Sequence, residues 1–153
     1  MPAYVIRHAH AGHRSDWEGP DEERPLSHKG RREADYVVTI LGDEPIGRVL
    51  SSPAVRCIQT AAPLASSRGV DLEIDKRLGE GHDPRDVVEL LVEFAGTNPA
   101  VCSHGDIIPE VIRLLQRRGM AIVDTGPTKK GSFWTLESDG HSFTKATYNP
   151  SGT

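Results

Sequence analysis

The sequence lacks the features that mark several large classes of protein. Its 153 residues contain only two cysteines, and no hydrophobic run is long enough to span a bilayer. The 18 lysines and arginines do not form a long basic run and the net charge is −4, which argues against binding to a nucleic-acid polymer. No charged segment followed by an apolar stretch opens the chain, so we expect no signal peptide. These absences favour a cytoplasmic protein without membrane association.

The two cysteines and the chain length bound the architecture. Cys57 and Cys102 lie in apolar contexts within predicted elements, so we expect them to fill the core rather than to form a disulfide. The length suits one domain over residues 1–153 with a single sizeable core. The sequence shows no internal repeat and no interdomain linker.

Strand-like and helix-like patterns alternate in the first half of the chain. Ser27 and Ser52 are predicted to cap the two helices, and Pro63 is predicted to kink or shorten the second. The predicted strands cover 3–7, 48–52 and 71–75, the last at an edge of the sheet, and the predicted helices cover 25–42 and 52–69.

The second half repeats this alternation and ends in a hairpin. Apolar residues at helical spacing predict helices over 83–96 and 106–119, and an apolar strand is predicted over 100–103. Strands 131–138 and 141–148 are joined by Asp139-Gly140, a hairpin signal. The alternation predicts a three-layer α/β/α sandwich with a mostly parallel central sheet. Ligands bind such sheets at the carboxyl ends of the strands.

Polar side chains follow three of these strands where each strand ends. The first strand ends at Arg7 and His8, strand 100–103 runs into His104, and Arg56 lies one helical turn beyond strand 48–52. If the strands are neighbours, two guanidinium groups and two imidazole rings meet at one edge, which requires a compensating anion. The arrangement predicts a pocket for a phosphate dianion. Each residue alone could equally be a surface feature.

Five segments together resemble a known family. The sequence is similar to the histidine phosphatase (phosphoglycerate-mutase-like) superfamily over nearly its whole length, in VIRHAHAG, RPLSHKGRREA, LSSPAVRCIQTA, LGEG and SHGDIIPEVI. The second segment and the short length look most like SixA-type phosphohistidine phosphatases. The segment KKGSFWTL is similar to a phosphatase-like domain fused to some Nudix hydrolases. No Nudix segment is present, so we expect a stand-alone form.

The resemblance implies roles for the residues at the strand ends. His8 would attack phosphorus and form a phosphohistidine, with its other ring nitrogen held by a backbone carbonyl of the following loop. Arg7, Arg56 and His104 would bind the nonbridging phosphoryl oxygens. Because these groups supply the positive charge, the resemblance implies no metal and no other cofactor.

The resemblance also implies a residue that donates a proton to the leaving group. Glu80, in the segment RLGEGHDP, matches a position where many family members carry a glutamate, and a general acid there would need a raised pKa. The alternative is a solvated loop carboxylate, with His82 and Asp83 as replacement acids.

Further basic and aromatic residues are expected around the pocket. Lys129 and Lys130 are expected to be solvated, with contact to a second substrate phosphate as the alternative. Rim positions that could select the substrate, or could instead face solvent, are His10, His13, Arg14, Trp17 and Arg24.

We predict a metal-independent phosphatase that acts on a phosphomonoester or phosphohistidine. A phosphorylated small molecule, a nucleotide and a protein bearing phosphohistidine all suit a short open site. A phosphoglycerate-type mutase is disfavoured because the segment between Asp71 and Pro99 is too short for a large lid. The sequence also leaves open a zinc site built from His8, His10 and His13 and a phosphate-binding module without catalysis.

Overall fold

The computed structural model describes residues 1–152, in which strands and helices alternate as expected. The helices are α1 (His28–Leu41), α2 (Val55–Arg68), α3 (Pro84–Glu93) and α4 (Ile108–Arg117). The strands are β1 (Pro2–Arg7), β2 (Arg48–Ser51), β3 (Leu72–Ile74), β4 (Pro99–Ser103), β5 (Ala121–Asp124), β6 (Phe133–Ser138) and β7 (Phe143–Asn149). None of the helices in this part of the chain is long and apolar enough to cross a membrane.

The strands form one seven-stranded sheet in the order β3-β2-β4-β1-β6-β7-β5. The first four strands in this order are mutually parallel. Strand β6 runs antiparallel to both β1 and β7, and β5 is parallel to β7. The predicted fold class is therefore confirmed, together with the tail hairpin and the edge position of β3.

Helices cover both faces of the sheet. Tyr4 and Ile6 of β1 pack in a core cluster with residues of α1 and α2, whereas Ala3 and Val5 pack with residues of α3 and α4. This follows from the alternation of side chains along a strand. Full burial of one such large apolar side chain is worth about 2 kcal/mol, so both layers stabilise β1.

The ends of the first two helices differ in how they are capped. The Ser27 hydroxyl accepts a hydrogen bond from the Gly30 amide at 3.1 Å, which confirms the predicted cap of α1. Helix α2 instead begins after Ala54, without a side-chain cap. The prediction that Ser52 caps this helix is wrong, because the helix begins at Val55, three residues beyond Ser52. The Ser52 hydroxyl instead contacts a histidine at the neighbouring strand end.

Two further details were not anticipated. Helix α2 continues through Pro63 to Arg68, so the predicted shortening is wrong. Leu64 and Ala65 are buried just beyond the proline, and this tertiary packing holds the last turns in place. Strand β5 was not predicted, since four residues with mostly exposed side chains carry little pattern.

Cys57 and Cys102 are buried free thiols in the core, as expected.

Candidate active site

The carboxyl ends of β1, β2 and β4 lie at the same edge of the sheet. Residues at the ends of β1 and β4 border a cavity of about 270 Å³. Arg7 is in register with Ser103, and Ser51 is in register with Cys102, so the residues that follow each strand emerge at the same edge. We call this space the strand-end cavity. Its charged and histidine lining comprises Arg7, His8, His13, Arg14, Arg24, Glu80, His104, Asp106 and Lys130.

The His8 ring is buried, with one nitrogen held by the backbone. Its Nδ1 lies 2.8 Å from the Ala9 carbonyl oxygen, the type of acceptor predicted for this ring. The Ala9 amide in turn donates to the Thr60 hydroxyl at 3.0 Å, which fixes the orientation of this peptide. Since a carbonyl can only accept, Nδ1 carries the proton and Nε2 keeps its lone pair.

Burial and nearby positive charge keep the His8 ring neutral. Burial is the main cause that lowers the pKa of His8 to about 3, and the charges of His104, Arg56 and Arg7 lower it further against the opposing Ala9 carbonyl. At neutral pH the ring therefore offers an unprotonated nitrogen.

His104 lies beside His8 and has one nitrogen without a partner in the protein. The two ring centroids are 5.4 Å apart, in an edge-to-face arrangement. His104 Nε2 lies 2.8 Å from the Ser52 hydroxyl, and that hydroxyl oxygen already accepts from the Ala54 amide at 3.2 Å. If the hydroxyl donates its own proton to Nε2, the imidazole proton is on Nδ1. This Nδ1 is buried and has no hydrogen-bond partner within residues 1–152.

Arg7 is held by one nitrogen, while another has no partner among the described residues. Its Nη1 donates to the Thr128 carbonyl oxygen at 2.9 Å, and its buried Nε has no hydrogen-bond acceptor within residues 1–152. The guanidinium lies directly over Gly105, where an added Cβ would come within 2.5 Å of Cζ. A side chain at position 105 would therefore displace Arg7.

Arg56 is almost fully buried and lies behind two carboxylates. Its Nη2 is 3.0 Å from a Glu80 oxygen and 3.1 Å from an Asp21 oxygen, and its Nη1 donates to the Asp21 carbonyl at 2.9 Å. Arg56 is thus close enough to affect His8 electrostatically but is not part of the cavity wall. An anion can reach its Nη2 only when Glu80 or Asp21 moves away.

Asp21 connects the basic residues of the site and was missed by the sequence analysis. It lies 3.1 Å from Arg14 Nε, 3.0 Å from Arg24 Nε and 3.1 Å from Arg56 Nη2. Partial burial raises the pKa of Asp21, but these arginines outweigh that effect and hold it below its ordinary value. Its pair with Arg24 is local, but Arg14 and Arg56 come from other parts of the chain, so no local pattern marks Asp21 as their common partner.

Glu80 lines the cavity, but its environment differs from the predicted one. Its two carboxylate oxygens lie 2.9 Å from Arg14 Nη2 and 3.0 Å from Arg56 Nη2. Burial raises the pKa of Glu80, but the Arg14 hydrogen bond and the charges of Arg14, His104 and Arg56 outweigh burial and lower it. The raised pKa expected for a general acid is therefore wrong for the protein without substrate. Nothing local to Glu80 in the sequence indicated that two arginines would converge on it.

The replacement acids do not line the strand-end cavity. Asp83 accepts the Arg85 amide at 2.9 Å as the cap of α3 and also pairs with the Arg85 side chain. His82 is likewise absent from the cavity wall and lies beside Gly79. Neither residue therefore contributes to the wall of the cavity that contains His8 and His104.

The predicted rim residues divide between neighbouring cavities. His13, Arg14 and Arg24 line the strand-end cavity, and Arg24 also donates to the Ala11 carbonyl at 2.7 Å. His10 lies outside it and borders an adjacent cavity, with its Nδ1 2.6 Å from the Ser27 hydroxyl. Trp17 borders a third cavity next to Arg24.

The zinc hypothesis does not fit the geometry of the three histidines. Within residues 1–152, no group of three or more histidine, cysteine, aspartate or glutamate side chains is arranged to hold a metal ion. His8 and His10 are each bonded to a different neighbour, through the Ala9 carbonyl and the Ser27 hydroxyl. The described residues therefore do not group these three histidines as metal ligands.

Comparison with known proteins decides the family. The sequence profile of the histidine phosphatase superfamily (branch 1) matches residues 3–82, more than half of the chain. The chain belongs to the histidine phosphatase superfamily. This confirms the resemblance drawn from the sequence. The match includes β1, with Arg7 and His8 at its end, and extends past Glu80.

One related protein is similar to this chain over most of its length. The 8-oxo-(d)GTP phosphatase of Mycolicibacterium smegmatis is 34% identical over 142 residues, which is 89% of this chain. The chain spans 44% of that relative's length.

The solved structures support the fold. A SixA protein histidine phosphatase complexed with tungstate superposes with a TM-score of 0.72 at 23% identity, covering 99% of this chain and 96% of the other. A mycobacterial glucosyl-3-phosphoglycerate phosphatase in complex with VO3 gives a TM-score of 0.73 at 17% identity, covering 97% of each chain.

Proposed function

We propose that this histidine phosphatase superfamily member hydrolyses a phosphomonoester or phosphohistidine through a covalent phosphohistidine on His8. The observation that carries the proposal is the hydrogen bond between His8 Nδ1 and the Ala9 carbonyl. It leaves Nε2 unprotonated in a cavity that Arg7 and His104 also line.

In the first step, the Nε2 lone pair of His8 attacks phosphorus as the bond to the leaving oxygen breaks. Arg7 Nε and His104 Nδ1, both buried and without partners within residues 1–152, donate to nonbridging phosphoryl oxygens. Arg56 Nη2 becomes a third donor once Glu80 turns towards the leaving group. Donors held in place before the reaction stabilise the transition-state charge without reorganisation.

The proton for a leaving alkoxide comes from Glu80. A phosphate dianion in the strand-end cavity places negative charge beside this carboxylate and competes for its two arginine partners. Both effects raise the pKa of Glu80 from its low value in the free protein. Water then attacks the phosphohistidine, and phosphate is released. The fixed cationic side chains supply the charge stabilisation, so we expect no need for a divalent cation.

Several phosphorylated compounds suit this site. The relative from Mycolicibacterium smegmatis is an 8-oxo-(d)GTP phosphatase, and a structural neighbour is a protein histidine phosphatase. Nucleotides and proteins that bear phosphohistidine are therefore the substrate groups to test first, followed by phosphorylated small molecules. An open cavity at a strand edge does not exclude any of these by size.

Phosphate release from p-nitrophenyl phosphate in the presence of EDTA tests the proposal. We expect turnover by the wild-type protein, none by His8→Ala, and wild-type turnover by His141→Ala, a control at an exposed hairpin histidine. Brief incubation with labelled substrate followed by denaturation should trap an acid-labile, base-stable phosphohistidine on His8. Full activity in His8→Ala would refute the proposal.

A further inference from the structure

A second cavity of about 360 Å³ adjoins the strand-end cavity and shares Arg7 and Lys130 with it. Lys29, from the first turn of α1, and Lys129 also border this cavity, together with His10. We call Lys29, Lys129, Lys130 and His10 the lysine basin. The superfamily mechanism proposed above makes no use of it.

The lysine basin concentrates positive charge. Four cationic side chains, three from lysine and one from Arg7, border a cavity in which Glu33 is the one carboxylate among the described lining residues. One Glu33 oxygen accepts the His10 amide at 2.8 Å, and within residues 1–152 no ion pair involves the three lysines. Such a concavity attracts an anion.

Titration of Lys130 is consistent with this excess charge. Burial is the main cause that lowers the pKa of Lys130, and the charges of Arg7, Arg24 and Arg56 lower it further against the opposing Glu33. A bound anion would relieve this repulsion.

The segment that carries two of the lysines is tied to the backbone of the nucleophile. The Gly131 amide donates to the His8 carbonyl at 3.1 Å, and the Ser132 amide donates to the Lys129 carbonyl at 3.0 Å. Arg7 Nη1 binds the carbonyl of Thr128 just before this turn. The basin is therefore held in a fixed position relative to His8, as a binding subsite requires.

We propose that the lysine basin binds a second phosphate joined directly to the phosphate that His8 attacks, so that the substrate class is a phosphate anhydride. This inference rests on the proposed function. Arg7 and Lys130 border both cavities, so the two proposed phosphate positions have two cations in common. A diphosphate can use these shared cations for both of its phosphates, and we therefore assign the basin to an anhydride rather than to two phosphates on separate ends of a sugar.

The chemistry of the leaving group agrees with this assignment. The bond from His8 Nε2 to the terminal phosphorus forms, the bond to the bridging oxygen breaks, and the electron pair stays on that oxygen. The leaving group is a phosphate whose protonation occurs near a pKa of about 6, so it departs at neutral pH without a proton donor. The low pKa of Glu80 in the free protein is compatible with such a substrate.

A comparison of kcat/KM among substrates, in wild type and in lysine variants, tests this assignment. We compare kcat/KM for inorganic pyrophosphate, ADP, fructose 1,6-bisphosphate and p-nitrophenyl phosphate, using wild type, Lys29→Gln, Lys129→Gln and the double variant. We expect the double variant to lower kcat/KM for pyrophosphate and ADP about tenfold or more, through KM. The ratio of these values to that for p-nitrophenyl phosphate should fall at least fivefold. Lys145→Gln, an exposed lysine on β7, is the matched control and should change the ratio less than twofold.

The outcomes separate this inference from the proposed function. Hydrolysis of p-nitrophenyl phosphate with no hydrolysis of either anhydride overturns the inference alone, as does an equal loss for all substrates in the double variant. A loss confined to fructose 1,6-bisphosphate would assign the basin to separated phosphates and also overturns it. Absence of turnover on every compound, without a trapped phosphohistidine, counts instead against the proposed function.

Discussion

The hydroxyl oxygen of Ser52 lies 2.8 Å from Nε2 of His104, which joins the end of β2 to the end of β4. The same oxygen accepts the Ala54 amide and still has a proton to donate. We predict that it donates this proton to His104 Nε2, so that the imidazole proton is on Nδ1, the nitrogen left without a partner within residues 1–152. In this arrangement Ser52 selects which nitrogen of His104 donates to a bound phosphoryl group.

Removal of this hydroxyl should weaken catalysis without removing any proposed catalytic group. A hydrogen bond of this kind is worth about 1 kcal/mol, so we expect Ser52→Ala to lower kcat on p-nitrophenyl phosphate roughly fivefold to tenfold. Ser52→Thr retains the hydroxyl and should recover most of the loss. Ring ¹⁵N shifts of His104 should show mixed tautomers in Ser52→Ala; unchanged shifts together with unchanged kcat would contradict the assigned role.

The contact between Arg7 and Gly105 predicts a second outcome. An added methyl group at position 105 would meet the guanidinium carbon at 2.5 Å, so Gly105→Ala should move Arg7 out of place. We expect a loss of kcat/KM of about a hundredfold, since about 3 kcal/mol is typical for one misplaced transition-state donor. Gly96→Ala is the control, because nothing lies within 4 Å of its added Cβ. Equal activity of the two variants would show that Arg7 adjusts freely.

Stability should depend on pH through His8. The pKa of this ring is about 3 in the folded protein against 6.5 for the unperturbed side chain. Between these values the unfolded state binds more protons, so the free energy of unfolding decreases as the pH falls below 6.5. At pH 5 the loss from His8 is about 2 kcal/mol.

Urea unfolding of His8→Asn measures this effect. Between pH 7 and pH 5, the variant should lose about 2 kcal/mol less than the wild type. His141→Asn, at an exposed hairpin position, should keep the wild-type dependence on pH. Parallel curves for wild type and His8→Asn would indicate that His8 titrates normally.

Arg14 should control the protonation of Glu80. Arg14→Gln removes the side-chain hydrogen bond and the charge that lower the pKa of Glu80, so that pKa should rise. If Glu80 donates the proton, its active protonated form then persists to higher pH. We expect the alkaline limb of kcat against pH to move upward for an alkyl phosphate. Arg117→Gln, at an exposed site on α4, should leave the limb in place, and an unmoved limb in Arg14→Gln would remove Glu80 from the proposed mechanism.

Local sequence patterns predict most of the helices and strands, but not the side-chain contacts between them. Ser27 caps the start of α1 and Gly42 caps its end, and both caps can be predicted from the neighbouring residues. Ser52 has the same residue type and a similar context, yet it bonds to His104 rather than capping a helix. Tertiary packing decides whether such a hydroxyl bonds to a nearby or a distant residue, so the local sequence does not predict the partner.

The chain's own residues determined six of the seven strands, the position of Arg7, His8 and His104 at strand ends, and the superfamily to which the protein belongs. Only the tertiary structure placed Asp21 among three arginines, set Glu80 against Arg14 and Arg56, and joined the lysine basin to the strand-end cavity. Hydrophobic periodicity and helix capping depend on residues that are close together in the sequence, so the sequence alone reveals them. The charge and burial around a side chain depend on distant segments that only the fold brings together.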